Sequence, residues 1–99
     1  MGGFFAEIYL GDIIMYYIYI VRCQDDTYYT GFTNNIEKRI RAHNEKKGAK
    51  YTRGRTPVKL IYYEEFESKT EALKREYEVK KLSRKQKELL VSKLRQDLS

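Results

Sequence analysis

Apolar and polar positions along the chain follow two rhythms, one with the spacing of strands and one with the spacing of helices. Residues 16–23, YYIYIVRC, are dense in β-branched and aromatic side chains, and 28–32 repeat that character, which predicts two strands. Gln24-Asp25-Asp26-Thr27 between them has turn character, so the strands form an antiparallel hairpin. Asn34 or Asn35 can cap a helix starting at Ile36, whose apolar stripe is Ile36, Ile40 and then the Ala42/His43 region, ending before Gly48. Residues 48–57, GAKYTRGRTP, hold two glycines, a proline and three basic side chains and read as an exposed basic loop. A third strand is predicted over 58–66, VKLIYYEEF. Ser68-Lys69-Thr70-Glu71 is a capping-box pattern before a helix over about 70–82, and Ser83-Arg84-Lys85-Gln86 repeats it before a helix over 84–97. In that last helix Leu89, Leu90, Leu94 and Leu98 recur at helical spacing, a stripe that faces a core. The expected class is α+β, a three-stranded antiparallel sheet flanked by three helices in the order β-β-α-β-α-α.

Composition narrows what such a domain can be. The chain has 99 residues, 41% of them apolar, and one proline. A chain of that length makes one domain burying roughly 60 to 70% of its unfolded surface, with no room for a two-domain enzyme. One cysteine and one histidine exclude an intrachain disulfide and a four-cysteine metal ribbon, and argue against a structural zinc site. No apolar run approaches the roughly 20 residues that span a bilayer, and the N-terminus lacks the basic start of a signal peptide. A soluble cytoplasmic protein is expected. Residues 1–14, MGGFFAEIYLGDII, have no basic side chain and precede the first strand pattern, so 15–99 is read as the single domain. The extension is either translated from a start upstream of Met15 or an apolar arm.

Charge adds a direction. The net charge is +6, and it is concentrated: residues 1–34 carry one basic and four acidic side chains, 35–59 nine and two, and 60–99 ten and eight. A basic middle between near-neutral flanks suits a polyanion, with phosphate backbones the leading partner, although a solvated charged face would carry the same charges. Lys46, Lys47, Lys50, Arg53 and Arg55 lie in or next to the predicted loop and are the candidate nucleic-acid contacts.

Several residues could carry chemistry. Tyr19 and Tyr29 share a sheet face only if the hairpin connection is odd-membered or bulged; strand tyrosines are otherwise commonly half-buried packing. Gly31 stands where a missing side chain lets a backbone or ligand approach. Arg39 and His43 are four apart on one helix and project together, where they could flank a phosphate. Glu76 falls on the apolar side of its helix, where a carboxylate is costly unless it is paired, with Arg39 for example, or holds a divalent metal.

Taken together, Tyr17-Ile18-Tyr19, Tyr29-Thr30-Gly31, Arg39, His43 and Glu76 resemble the GIY-YIG nuclease superfamily over about 15–90, and the text YTG, AHN, GAKYTRGR and REYEVKKLSR is similar to its small stand-alone bacterial members. Tyr17 stands where the family has its first glycine and Thr30 where it has isoleucine. A carboxamide or basic residue found near the C-terminus of many members has no clear match. The resemblance implies a metal-dependent endonuclease that hydrolyses DNA phosphodiester bonds, in repair or processing. Catalytic positions would be Tyr19, Tyr29, Arg39, His43 and Glu76, with Gly31 at the active-site backbone and Glu76 as ligand to Mg²⁺ or Mn²⁺. Such cleavage needs a water nucleophile, charge relief on the phosphoryl oxygens and help for the leaving oxygen. A phenol with pKa near 10 is a poor base at neutral pH, so the residues alone leave the base open between a tyrosine and His43. The alternative class is a nucleic-acid-binding module with the same fold and no turnover; RNA fits less well than DNA, since no RNA-binding aromatic signature is present. A protein partner that supplies targeting is also expected.

Overall fold

The computed structural model describes residues 14–98, with side chains to Lys93. The expectation for the N-terminal extension and those for Leu94 and Leu98 lie outside the residues so described. The element order is β1 (Tyr16–Arg22), β2 (Tyr28–Thr33), α1 (Ile36–Asn44), a short 3-10 turn (Lys50–Thr52), β3 (Lys59–Phe66), α2 (Lys69–Lys80) and α3 (Arg84–Leu98). This is the α+β class and the order expected.

β1 lies in the centre of the sheet, whose order is β2-β1-β3, with both pairings antiparallel. A central strand is buried on both faces, which is why residues 18–21 are an unbroken apolar and aromatic run: Ile18, Tyr19, Ile20 and Val21 are all 0% exposed. Their alternation divides two cores. Ile18 and Ile20 pack with Tyr62, Ala72, Val79 and Val91 beneath α2 and α3, whereas Tyr19, Val21 and Cys23 pack with Val58, Tyr29 and Ile40 beneath α1. A register shift at Ile20/Val21 marks a bulge between β1 and β3.

The helix starts follow their caps. Asn35 is the N-cap of α1, its side chain accepting from the Lys38 amide. Ser68 accepts from the Glu71 amide, and at α3 both halves of a capping box are present, Gln86 N to Ser83 Oγ and Ser83 N to Gln86 Oε1. The leucine stripe of α3 is rotated from expectation. Leu90 packs on the core as expected, but Leu89 is 64% exposed and Val91 is buried in its place. Arg75 of α2 grips Glu64 of β3 through Nε and Nη2 at 2.8 and 3.0 Å, fixing the helix across the sheet. None of the described helices is long and apolar enough to cross a membrane.

Candidate active site

The hairpin connection, residues 23–27, is five residues long, and Asp26 within it takes a left-handed conformation with φ 67°. An odd connection pairs Tyr19 with Gly31 and Val21 with Tyr29, so both tyrosines project from the α1 face. Gly31 is what lets Tyr19 extend there. A Cβ at Gly31 would sit 2.4 Å from Tyr19 Oη and 2.5 Å from Cζ, so the ring lies flat over the bare backbone of β2. No glycine among the described residues has a positive φ, so the requirement at Gly31 is for space.

α1 supplies the next layer. His43 is 0% exposed, its Nε2 lies 2.7 Å from Tyr19 Oη and its Nδ1 2.7 Å from Thr52 Oγ1. Arg39, one turn earlier, donates from Nε to Tyr19 Oη at 3.3 Å. Donor counting assigns the direction of this chain. Thr52 spends its only hydroxyl proton on the Ala49 carbonyl at 3.0 Å, so Thr52 Oγ1 accepts from His43 Nδ1–H. His43 Nε2 is then the acceptor for the Tyr19 hydroxyl, and the Tyr19 oxygen accepts from Arg39. Gly48 closes over the imidazole: a Cβ there would meet His43 Nδ1 at 2.4 Å. Asn44 fastens the far end of the loop, accepting from Val58 N at 2.7 Å and donating to its carbonyl.

Burial sets the protonation states. Desolvation raises the Tyr19 hydroxyl above the usual tyrosine value and outweighs the lowering by Arg39; desolvation, then Arg39, pushes His43 below the usual imidazole value. Tyr19 is therefore a neutral phenol and His43 a neutral imidazole at pH 7.

Tyr29 is half-buried, its ring edge-on to His43 at 5.5 Å and stacked on Tyr51 at 5.9 Å. Glu76, on α2, has an 18% exposed side chain whose Oε2 lies 3.4 Å from Lys80 Nζ. Its partner is thus Lys80 on its own helix, and the expected alternative of an Arg39–Glu76 pair is not formed, since Arg39 is turned to Tyr19.

The basic loop is anchored to this site rather than merely exposed. Lys46, Lys47, Lys50 and Arg53 are exposed, but Thr52 is fully buried against His43 and Tyr51 packs on Tyr29. Arg55 is already engaged: its Nε is 3.0 Å from Asp25 Oδ2, its Nη1 donates to the Tyr51 carbonyl, and its guanidinium lies 4.0 Å over the Tyr51 ring. Thr52, Gly48, Tyr51 and Lys80 were not legible as site residues, because inside a segment of glycines and lysines nothing in the spacing marks one threonine as buried.

Comparison with known proteins gives the family and the fold. Residues 15–89 match the family model described as the GIY-YIG catalytic domain. The chain is 63% identical over 78 residues to a UPF0213 protein of Clostridium perfringens, covering 79% of this chain and 84% of that one. It is 55% identical over 76 residues to a UPF0213 protein of Halobacterium salinarum, covering 77% and 99%. Among solved structures, the solution NMR structure of the UPF0213 protein BH0048 from Bacillus halodurans is similar with a TM-score of 0.53 at 52% identity, covering 80% and 84%. That of the protein EF2693 from E. faecalis has a TM-score of 0.57 at 43% identity, covering 82% and 86%.

Proposed function

Because the chain belongs to the GIY-YIG catalytic domain family, we propose that it is a metal-dependent endonuclease that hydrolyses DNA phosphodiester bonds. The observation that carries this reading is the directed hydrogen-bond chain from Ala49 through Thr52, His43 and Tyr19 to Arg39. It spends buried polar groups to aim one guanidinium, an arrangement that packing alone does not require.

Arg39 is held through Nε, which leaves its two terminal NH₂ groups for the phosphoryl oxygens, whose negative charge grows in the transition state. Tyr19 and His43 are buried and act as positioning residues: a neutral His43 keeps the Tyr19 proton turned away from Arg39, so the phenol oxygen receives Nε–H. Tyr29, whose ring lines the open cleft, orients the attacking water and takes its proton.

The donor set fits a hard divalent cation. The described residues contain no group of three or more His, Cys, Asp or Glu side chains that could enclose a metal, and Glu76 is a lone carboxylate in a partly open position. Mg²⁺ is commonly held by one or two carboxylates, water and substrate phosphate oxygens. Glu76 would hold Mg²⁺ or Mn²⁺, which when bound supplies charge relief at the leaving oxygen.

The deciding experiment is nicking of plasmid or branched DNA by the purified chain with Mg²⁺, beside Glu76→Gln. Wild type is expected to cut, and the variant to lose about 10²-fold or more of the rate. Because Glu76 pairs, among the described residues, only with a half-exposed Lys80, its loss should shift stability by no more than ~1 kcal/mol. A folded Glu76→Gln protein that still cuts would refute the ligand role, and wild-type binding without any cutting would make the chain a nucleic-acid-binding module.

A further inference from the structure

A cleft beside the site is lined by Tyr28, Tyr29, Thr30, Tyr51, Lys80 and Lys87. β2 is an edge strand, with Tyr29 turned to the α1 face and Tyr28 and Thr30 to the other, so the cleft straddles the free edge of the sheet. Two of its side chains, Thr30 and Lys87, have no use in the site described above, and a third, Lys80, links the cleft to it. Thr30 is 3% exposed, yet its Oγ1 has no hydrogen-bond partner among the described residues. A buried hydroxyl without a partner is costly and calls for an explanation. Lys87 lines the same cleft from the end of the first turn of α3 and has no ion-pair partner among the described residues, whereas Arg84, three residues earlier, takes both Asp26 and Glu88. Lys80 reaches the cleft from the last turn of α2 while contacting Glu76.

Burial and the neighbouring Lys80 both push the Lys87 ammonium below its usual value. Glu76 already offsets Lys80, so Lys87 is the cleft cation left without a counter-charge among the described residues, and an entering anion would relieve it. An anion with several acceptor oxygens would serve both lysines and could accept from the orphaned Thr30 hydroxyl.

We propose that Lys87, Lys80 and Thr30 form a second phosphate subsite that takes a backbone phosphate of the nucleic acid next to the scissile one. This rests on the nuclease reading, because a phosphate at Arg39 places its strand neighbour within reach of the adjoining cleft, which shares Tyr29 and Lys80 with the site. Lys87 is a positioning residue: it sets strand register, and its loss acts on binding before chemistry.

The test is a binding measurement, so it does not depend on cleavage. A short DNA duplex carries one uncharged methylphosphonate, walked along the strand, and affinity for the full chain is read by fluorescence anisotropy without divalent metal. Wild type should show neutralisation costing about tenfold at two separate positions. In Lys87→Gln one of these positions should become insensitive while the other keeps its penalty, and Lys87→Arg should restore both. Melting of Lys87→Gln should be unchanged or higher, since a like charge has been removed, which a structural role for Lys87 would not give. Inorganic phosphate distinguishes the sources. Weak competition, with amide shifts at Thr30 and Lys87 only at high concentration, supports a strand phosphate, whereas tight saturation by phosphate alone with no effect on DNA affinity overturns it. An unchanged methylphosphonate profile in a folded Lys87→Gln protein also overturns the subsite. Failure of cleavage with this profile intact removes the nuclease reading and leaves the subsite standing.

Discussion

At His43 an imidazole is held by both nitrogens inside a core that no water reaches, and this predicts how the protein responds to acid. Its pKa is lowered in the folded state, so below the unfolded value of about 6.5 the unfolded chain binds the proton more readily than the folded one. The contribution is fully present above about pH 6.5 and is lost as pH falls below it. The melting temperature should decline between pH 6.5 and 5.5, and His43→Asn should abolish that slope while lowering the melting temperature at pH 7.5. A wild-type melt that is flat over this window would refute the buried neutral imidazole. The two tyrosines separate by the same logic. Tyr29→Phe should leave folding intact and cut the cleavage rate by about 10² or more, the scale of a lost general base. Tyr19→Phe removes a buried hydroxyl from between His43 and Arg39, and leaves His43 Nε2 an unsatisfied acceptor, so it should also lower stability. Equal melting temperatures for the two variants, measured by circular dichroism, would contradict this division of roles.

Among the elements, the hairpin β1–β2 decides whether there is a site at all. Its five-residue connection sets the pairing that puts Tyr19 and Tyr29 on one face, and an even connection would have sent one of them into the other core. Gly31→Ala should therefore be more damaging than a strand glycine suggests. The new methyl would fall on the Tyr19 ring, which is fully buried and tied by its hydroxyl to His43 and Arg39, so neither partner can yield. Overpacking of this kind costs about 1 to 3 kcal/mol. For a domain of this size each kcal/mol is worth roughly 4 to 8 °C of melting temperature. A calorimetric scan of Gly31→Ala within 2 or so degrees of wild type would show that the ring can move after all. Which face α3 presents was decided by contact, since Val91 and Leu90 meet the sheet and Leu89 does not.

For the molecule as a whole, the +6 net charge matters through where its excess is anchored. Tyr51 and Thr52 join the basic loop to the site, so Lys46, Lys47, Lys50 and Arg53 are presented beside it, whereas Arg55 is neutralised by Asp25. If four loop cations meet phosphates, they should contribute about −4 to the slope of the log-log dependence of DNA affinity on salt, beside the contacts at Arg39 and Lys87. Changing Lys50 and Arg53 to alanine should reduce it by about 2, and Arg55→Ala should lower stability while leaving the slope nearly unchanged. A slope near zero in a filter-binding titration would take the loop out of the interface.

What the sequence determined by itself is what local chemistry controls. The β-branched and aromatic run YYIYIVRC favours a strand, Ser68/Glu71 and Ser83/Gln86 mark the starts of α2 and α3, and the motif residues Tyr19, Tyr29, Gly31, Arg39, His43 and Glu76 were recognisable by type and order. Tertiary structure decided what depends on neighbours distant in the chain. The Tyr19–His43 bond spans 24 residues, and Thr52, whose one hydroxyl proton fixes the tautomer of His43, sits in a segment whose composition reads as solvent-exposed. Glu76 found Lys80 instead of Arg39, and Lys80 and Lys87 came together at the edge of β2. Hydrogen-bond direction, burial and the meeting of like charges are properties of three-dimensional surroundings, and residue spacing along one chain does not encode them.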